Sequence, residues 1–317
     1  MIVSMLFSKV RMNIKNRIVQ LFVISGNHPR RAATSPRMYT AKDWRYILLE
    51  TRYALKDKKI SLLAAGTAFY ASLAFFPLLA ATIAIIAHTV DYDELNKALL
   101  AIKMYFPIDI AALIGSQLRN AYDYNVRNII IAVVALLIGL YSATRAMATL
   151  ISSVNTAYEK VELRSKTRKF ALSLLLSVVA IVLLAIVLII VLVDDTALMQ
   201  LGLGSFLSES LPILRWVILT VIIAGSLALF YRVAPSNHDP HWKWVSWGAC
   251  IASVIWLGGT TLFFLYAKLI TMYSNIYSVF GSVIVLLIWL NLSAFVILLG
   301  AQINHQLEQR TTRRTSK

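Results

Sequence analysis

Two sets of residues in this 317-residue chain have the types and spacing to do chemistry. The first is NHDPHW, Asn237 to Trp242, where His238, Asp239 and His241 stand close enough in sequence to share a metal ion weakly. Metal-assisted or acid–base cleavage of a phosphodiester needs converging imidazoles and carboxylates, because the leaving oxygen and the equatorial charge must both be stabilised. Pro240 interrupts this run, no other ligand is near in sequence, and the remaining histidines, His28, His88 and His305, are scattered. The residues support a polar turn, and no metal is expected. The single cysteine, Cys250, excludes an internal disulfide framework and a cysteine-based zinc site. No Gly-rich phosphate loop is present, so no nucleotide cofactor is expected and the chain reads as a non-enzyme.

The second set consists of polar residues set into apolar runs: Arg145, Arg215, Asn291, Gln302 and Asn304. Arg145 lies in GLYSATRAMATLI, Gly139 to Ile151, six residues or ~9 Å of helical rise before Ile151. A guanidinium there has two readings. It snorkels to the phosphate level from the inner edge of a membrane span, or it faces the bundle interior and pairs with an anionic headgroup or with a carboxylate such as Glu159. Arg215 reads the same way more weakly. Asn291 is deep in apolar surroundings, where its amide needs a partner on a neighbouring helix; Tyr141, Ser142 and Thr144 are the expected ones. Asp194 and Asp195 suit cation or headgroup recognition, although paired acids at a helix exit are commonly just solvated.

What positions these groups is a membrane. The chain is 59% hydrophobic and 15% charged with a mean hydropathy of +0.71, against about 25% charged in an ordinary soluble domain. Roughly 20 apolar residues cross the hydrocarbon as a helix, and six stretches qualify: Leu62–Ala87, Asn128–Thr149, Phe170–Val193, Leu211–Tyr231, Trp244–Ala267 and Val279–Ile303. The first contains Pro77, which removes a backbone donor and predicts a kink.

The formal charge of +16 sorts by loop rather than forming a nucleic-acid patch. Thirteen bases from Lys9 to Lys59 precede the first stretch. Others fall between the second and third, between the fourth and fifth, and after the sixth, whereas Asp91, Asp93, Glu94, Asp109, Asp123, Asp194, Asp195 and Glu209 fall in the alternate loops. The bias toward one side predicts both termini in the cytoplasm. Trp242, Trp244 and Trp247 form an expected aromatic belt at that boundary, and Gly66, Gly248 with Ala252, Gly258, Gly259 and Gly281 are expected at close helix approaches.

In the first outer loop, Leu95, Leu99, Ile102 and Phe106, then Ile110, Leu113, Ile114 and Ala121, recur at helical spacing on either side of Pro107. This predicts a short amphipathic hairpin, either a packed connection or a cover lying on the outer leaflet. Residues 1–44 form a basic cytoplasmic segment; 1–37 reads either as an amphipathic helix on the inner leaflet or as sequence upstream of a true start at Met38. The six-span domain occupies 45–305, and 306–317 reads as a disordered basic tail.

Four segments carry a resemblance. LLAAGTAFYASLAFFPLLAATIAI (Leu62–Ile85), LISSVNTAYE (Leu150–Glu159), YRVAPSNHDPHWKWVSWGA (Tyr231–Ala249) and YSVFGSVIVLLIWLNLSAFVILLGAQINHQLE (Tyr277–Glu308) resemble, in order, the motifs of the YihY/BrkB family of bacterial inner-membrane proteins. Gln302 departs from the family pattern, which usually has Glu there. The resemblance implies an all-α, polytopic membrane bundle. It also brings three functional labels: a tRNA-processing ribonuclease, a virulence or serum-resistance factor, and a transporter of lipid or envelope components.

The expectation is therefore an all-α bundle of six transmembrane helices that moves or gates an amphiphilic or anionic substrate, with a membrane scaffold for envelope partners as the alternative and a nuclease behind both. The substrate-contact candidates are Arg145, Asn155, Asn291, Gln302, Asn304 and Arg215. Membrane lipids and envelope proteins are the expected partners, nucleic acid is not, and no cofactor is expected.

Overall fold

The computed structural model describes residues 39–89, 112, 115–116, 129–192, 205–236, 242–271 and 278–309. Among the described residues every regular element is helical: α1 Ala41–Asp57, α2 Ile60–Thr89, α3 Ile129–Ala157, α4 Lys166–Leu192, α5 Ser205–Val233, α6 Trp242–Thr271 and α7 Ser278–Gln309. Residues Ser35–Glu308 make one compact unit. Apart from Ala112, Gly115 and Ser116 the expected outer hairpin lies outside the described residues, as do the NHDPHW histidines with Asp239, the Asp194–Asp195 pair and residues 1–38 and 310–317; residues 306–309, expected to begin a disordered tail, instead continue α7, with Gln306 and Leu307 buried.

Among the described residues five segments are long and apolar enough to cross a bilayer: Ile60–Thr82, Ala132–Ala157, Lys166–Val187, Trp216–Val233 and Val283–Gln309. Within α6 a shorter apolar stretch, Trp247–Phe263, occupies the position of the expected fifth span. Leu137, Leu175, Val221 and Leu262 each leave 60% or more of their surface outside the fold. Apolar exposure on that scale is stable in hydrocarbon, not in water. The chain is an integral membrane protein.

The spans run further than their hydropathy indicates. The sequence reading ends the second span at Thr149, yet α3 continues to Ala157 through Ser152, Ser153 and Thr156. Each of these hydroxyls donates to the carbonyl four residues earlier, so the polar groups are satisfied within the helix and do not end it. In the same way α7 continues past Ile303 to Gln309 with Gln302, Asn304, His305 and Gln306 all buried.

The core sits at one end of the bundle. Ile60 and Ala64 at the start of α2 meet Leu150, Ile151, Val154 and Tyr158 at the end of α3, Ala228 and Tyr231 near the end of α5, Ala249 near the start of α6, and Ala294, Leu298 and Ala301 late in α7. Leu172 and Leu176 near the start of α4 pack against the same cluster. Helices α2, α4 and α6 therefore leave this end and α3, α5 and α7 return to it.

Backbones close on each other at α6 and α7. A Cβ on Gly248 would collide with the Asn304 side chain and the Gly300 carbonyl, and one on Gly300 with the Tyr231 hydroxyl. That contact matches the close approach expected of Gly248. Gly66 and Gly258, by contrast, have no neighbour within 4 Å of an added side chain among the described residues, so the close approach expected at them is not seen there.

The amphipathic α1 precedes the spans. Its start is set by a capping box in which the Asp43 backbone N–H meets the Thr40 hydroxyl and the Thr40 N–H donates to the Asp43 carboxylate at 2.8 Å. Ile47 packs against Ile303 and Leu307 of α7, with Trp44 and Trp247 in ring contact at 5.9 Å alongside.

Candidate functional site

Polar side chains gather at the end of the bundle where the core sits, and two backbone irregularities build the cluster. Helix α1 ends at Lys58, and Lys59 takes the left-handed conformation (φ 51°) that turns the chain into α2. Helix α3 ends in a Schellman motif: the Lys160 N–H reaches the Asn155 carbonyl at 2.8 Å and the Glu159 N–H the Thr156 carbonyl at 3.2 Å. Its left-handed residue is Glu159 (φ 54°), where glycine is usual. A carboxylate at that position is worth the backbone strain only if its side chain gains something.

It gains Lys58. The Lys58 ammonium lies 3.0 Å from Glu159 Oε1, and its other hydrogens go to the Ala157 carbonyl at 2.9 Å and to Gln302 Oε1 at 3.0 Å. His305 Nε2 is 3.6 Å from Glu159 Oε2, and the His305 ring sits edge-on to Tyr158 at 5.9 Å. His305 is buried and Lys58 partly so, while more than half of the Glu159 side chain is exposed. Partial burial alone would raise the Glu159 carboxyl; the Lys58 ammonium and the His305 imidazole outweigh it and hold it below its usual value. Burial pushes the Tyr158 phenol far above its usual value, so it stays protonated. Gln302 is fully buried, and its Nε2 has no hydrogen-bond partner among the described residues.

A second network ties the turn after α3 to the end of α5. Asn155 donates to Glu162 Oε2 at 3.0 Å and accepts from the Ser236 N–H at 2.8 Å. The Arg164 guanidinium donates to three carbonyls, Val233 at 3.0 Å, Ala234 at 2.8 Å and Pro235 at 2.7 Å. It thereby closes a helix C-terminus whose last carbonyls otherwise lack donors.

A family description for virulence factor BrkB matches residues 51–317. The chain belongs to the BrkB family. A protein named as ribonuclease-like, YfkH of Bacillus subtilis (strain 168), is 27% identical over 268 residues, covering 83% of this chain and 94% of its own. A UPF0761 membrane protein of Idiomarina loihiensis (strain ATCC BAA-735 / DSM 15497 / L2-TR) is 24% identical over 162 residues, covering 50% of this chain and 57% of its own. No solved structure matches.

In this BrkB-family chain the residues singled out from the sequence divide by location. Gln302 belongs to the Lys58 cluster, and Asn304 stands beside it with its Oδ1 accepting the Gly248 N–H at 2.8 Å. Asn155 belongs to the Arg164 network. Asn291 is half-buried on α7; of its expected partners, Tyr141 accepts from Arg145 and Thr144 donates to the Leu140 carbonyl. The side chain of Arg215, on α5, lies outside the described residues.

Arg145 is elsewhere. Because α3 runs on to Ala157, Arg145 precedes the helix end by ~18 Å of rise rather than lying at the edge of the span. Its side chain is exposed, with Nε donating to the Tyr141 hydroxyl at 3.1 Å and the guanidinium 5.5 Å from the centre of the Tyr141 ring. Pairing with Glu159 is out of reach across that distance, and Glu159 is engaged by Lys58. Tyr141, Arg145, Thr149, Ser152 and Thr156 share one face of α3 by their three- and four-residue spacing. At the lower end of this polar stripe Lys169 of α4 donates to the Ser152 hydroxyl at 2.7 Å.

Sequence reasoning missed Lys58, His305, Glu162 and Arg164 as members of networks. Lys58 looked like one of many bases before the first span, and nothing local marks a Glu as left-handed. The available signal was NTAYE itself, a helix end with polar groups and no glycine to finish it.

Proposed function

We propose that the chain is a non-enzymatic, six-span protein of the bacterial inner membrane, with both termini in the cytoplasm, that moves or gates an anionic amphiphile of the lipid or envelope class. The shorter apolar stretch of α6 serves as the remaining span, and the alternation of helix directions with the loop charges supports the orientation.

The observation that carries this reading is the exposed Arg145 in the middle of α3, followed by Thr149, Ser152 and Thr156 along the same face. A guanidinium at the centre of a span costs about 2.5–3.5 kcal/mol on insertion scales. An anionic headgroup travelling along this stripe, its tails in the bilayer, offsets that cost by pairing with Arg145, while the hydroxyls below it and Lys169 lead toward the polar end of the bundle. Tyr141 holds the guanidinium side-on by hydrogen bond and ring contact, leaving its outer N–H groups for a phosphate.

The test is transfer of a labelled anionic lipid across reconstituted vesicles. Arg145→Ala lowers the rate about tenfold with unchanged membrane insertion, and Arg145→Lys retains part of it. An unchanged rate in Arg145→Ala refutes the reading and favours a scaffold for envelope proteins. Cleavage of RNA by the detergent-purified chain, free of soluble nucleases and abolished by changing His238 and His241, would favour the activity in the name of the Bacillus subtilis relative.

A further inference from the structure

Helix α1 has an outward face that no described part of the chain covers, and its charges are sorted. At about 100° per residue, Ile47 and Thr51 mark the side buried against the bundle. Past Trp44 and Leu55, which flank that side, comes the exposed Leu48; then Arg52, Arg45, Lys56, Leu49 and Lys42 fall within about 80° of arc, followed by Tyr53. The three acids, Asp57, Glu50 and Asp43, stand together on the far edge. Among the described residues the four bases make no ion pair and no side-chain hydrogen bond. Solvation alone gives no reason to separate the signs or to leave exposed leucines among the bases. An anionic bilayer surface gives both reasons.

The placement of α1 agrees. It packs against the sides of α6 and α7 rather than over their tips, because the cluster round Ile47 takes in Ile251 and Leu299 as well as Ile303 and Leu307. All four belong to the apolar stretches of those helices. The Tyr39 hydroxyl ties the approach to α1 to the Leu307 carbonyl at 3.0 Å, and Lys58 ties its other end to Gln302 at 3.0 Å. Measured along α7 these anchors differ by ~8 Å, whereas α1 is ~26 Å long. The helix therefore runs across the spans at the level where they leave the bilayer. The two edges beside its buried side then face opposite ways, and the arrangement that desolvates no carboxylate puts Leu48 and Arg52 toward lipid and the acids toward water.

We propose that α1 is a lipid-recognition helix: Lys42, Arg45, Arg52 and Lys56 bind the anionic headgroups of the leaflet at this end of the bundle, with Leu48 set among the acyl chains beneath them. Long basic side chains reach headgroup phosphates while their stems keep apolar contact, so bases and leucines share one face without conflict. The inference does not rest on the transport reading. It needs only that the chain spans a membrane, and Arg145 has no part in it.

The test uses the full chain in nanodiscs of phosphatidylcholine alone or with phosphatidylglycerol. Cys250→Ser removes the native thiol, and Leu48→Cys supplies one that is modified by an uncharged maleimide. Modification is expected to be about fivefold slower, or more, in the phosphatidylglycerol discs at low salt. The difference vanishes near 1 M salt, where the Debye length is about 3 Å. It also vanishes when Lys42→Gln, Arg45→Gln, Arg52→Gln and Lys56→Gln are combined; if that variant does not fold, the salt series on the charged parent decides. A cysteine on the acidic edge, Asp57→Cys, reacts equally in both discs. Equal rates for Leu48→Cys in the two lipids overturn the proposal, whether a second copy or another segment of this chain covers the face. So does a difference that survives high salt or loss of the four bases, or one that is matched at Asp57→Cys and so reports only the bulk surface potential.

Discussion

Lys58 Nζ and Glu159 Oε1 stand 3.0 Å apart, joining the end of α1 to the end of α3 across the polar end of the bundle. The pair has a direction in pH. The folded Glu159 carboxyl is held below its usual value, so its contribution to stability is full above the unfolded carboxylate range and is lost as pH falls through the lower folded value. Thermal unfolding of the wild type in detergent should therefore exceed that of Glu159→Gln near neutral pH, and the two melting curves should converge on acidification. A gap that persists unchanged into acid would show that charge is not what Glu159 supplies.

Arg164 is expected to matter more than an exposed loop base. Its guanidinium spans the Val233, Ala234 and Pro235 carbonyls, a fork that one ammonium cannot reproduce. Arg164→Ala should lower stability by about 2 kcal/mol, with Arg164→Lys recovering less than half. Equal melting temperatures for Arg164→Lys and the wild type would contradict a role that needs all three contacts.

Two glycines give opposite expectations. Gly248→Ala forces the new methyl into Asn304 and the Gly300 carbonyl, backbone included, and should cost roughly 1–3 kcal/mol or more. Gly66→Ala meets nothing within 4 Å among the described residues and, in mid-helix, should be neutral or stabilising by up to about 1 kcal/mol. Detergent melting of the two variants side by side checks both. Destabilisation by Gly66→Ala would point to a neighbour from a second chain at that face.

The polar termini of the spans show where sequence reading stopped short. Hydropathy ends α3 at Thr149 because Ser152, Ser153 and Thr156 are polar, but hydrogen bonds to carbonyls one turn back let the helix continue to Ala157. That extension moves Arg145 from an edge to the middle of a helix. It also carries Glu159 away from Arg145 and brings it to Lys58.

The sequence by itself determined that this is a helical membrane protein of the BrkB family, because long apolar runs admit no other backbone in hydrocarbon and the family motifs are local strings such as AFYASLAFFPLL and NTAYE. The tertiary structure alone decided which polar residues meet. Lys58, Glu159, Gln302 and His305 come together from three helix ends through two left-handed residues and a glycine contact between α6 and α7. Such pairings depend on helix length and on packing between distant segments, and neither leaves a periodic trace along the chain.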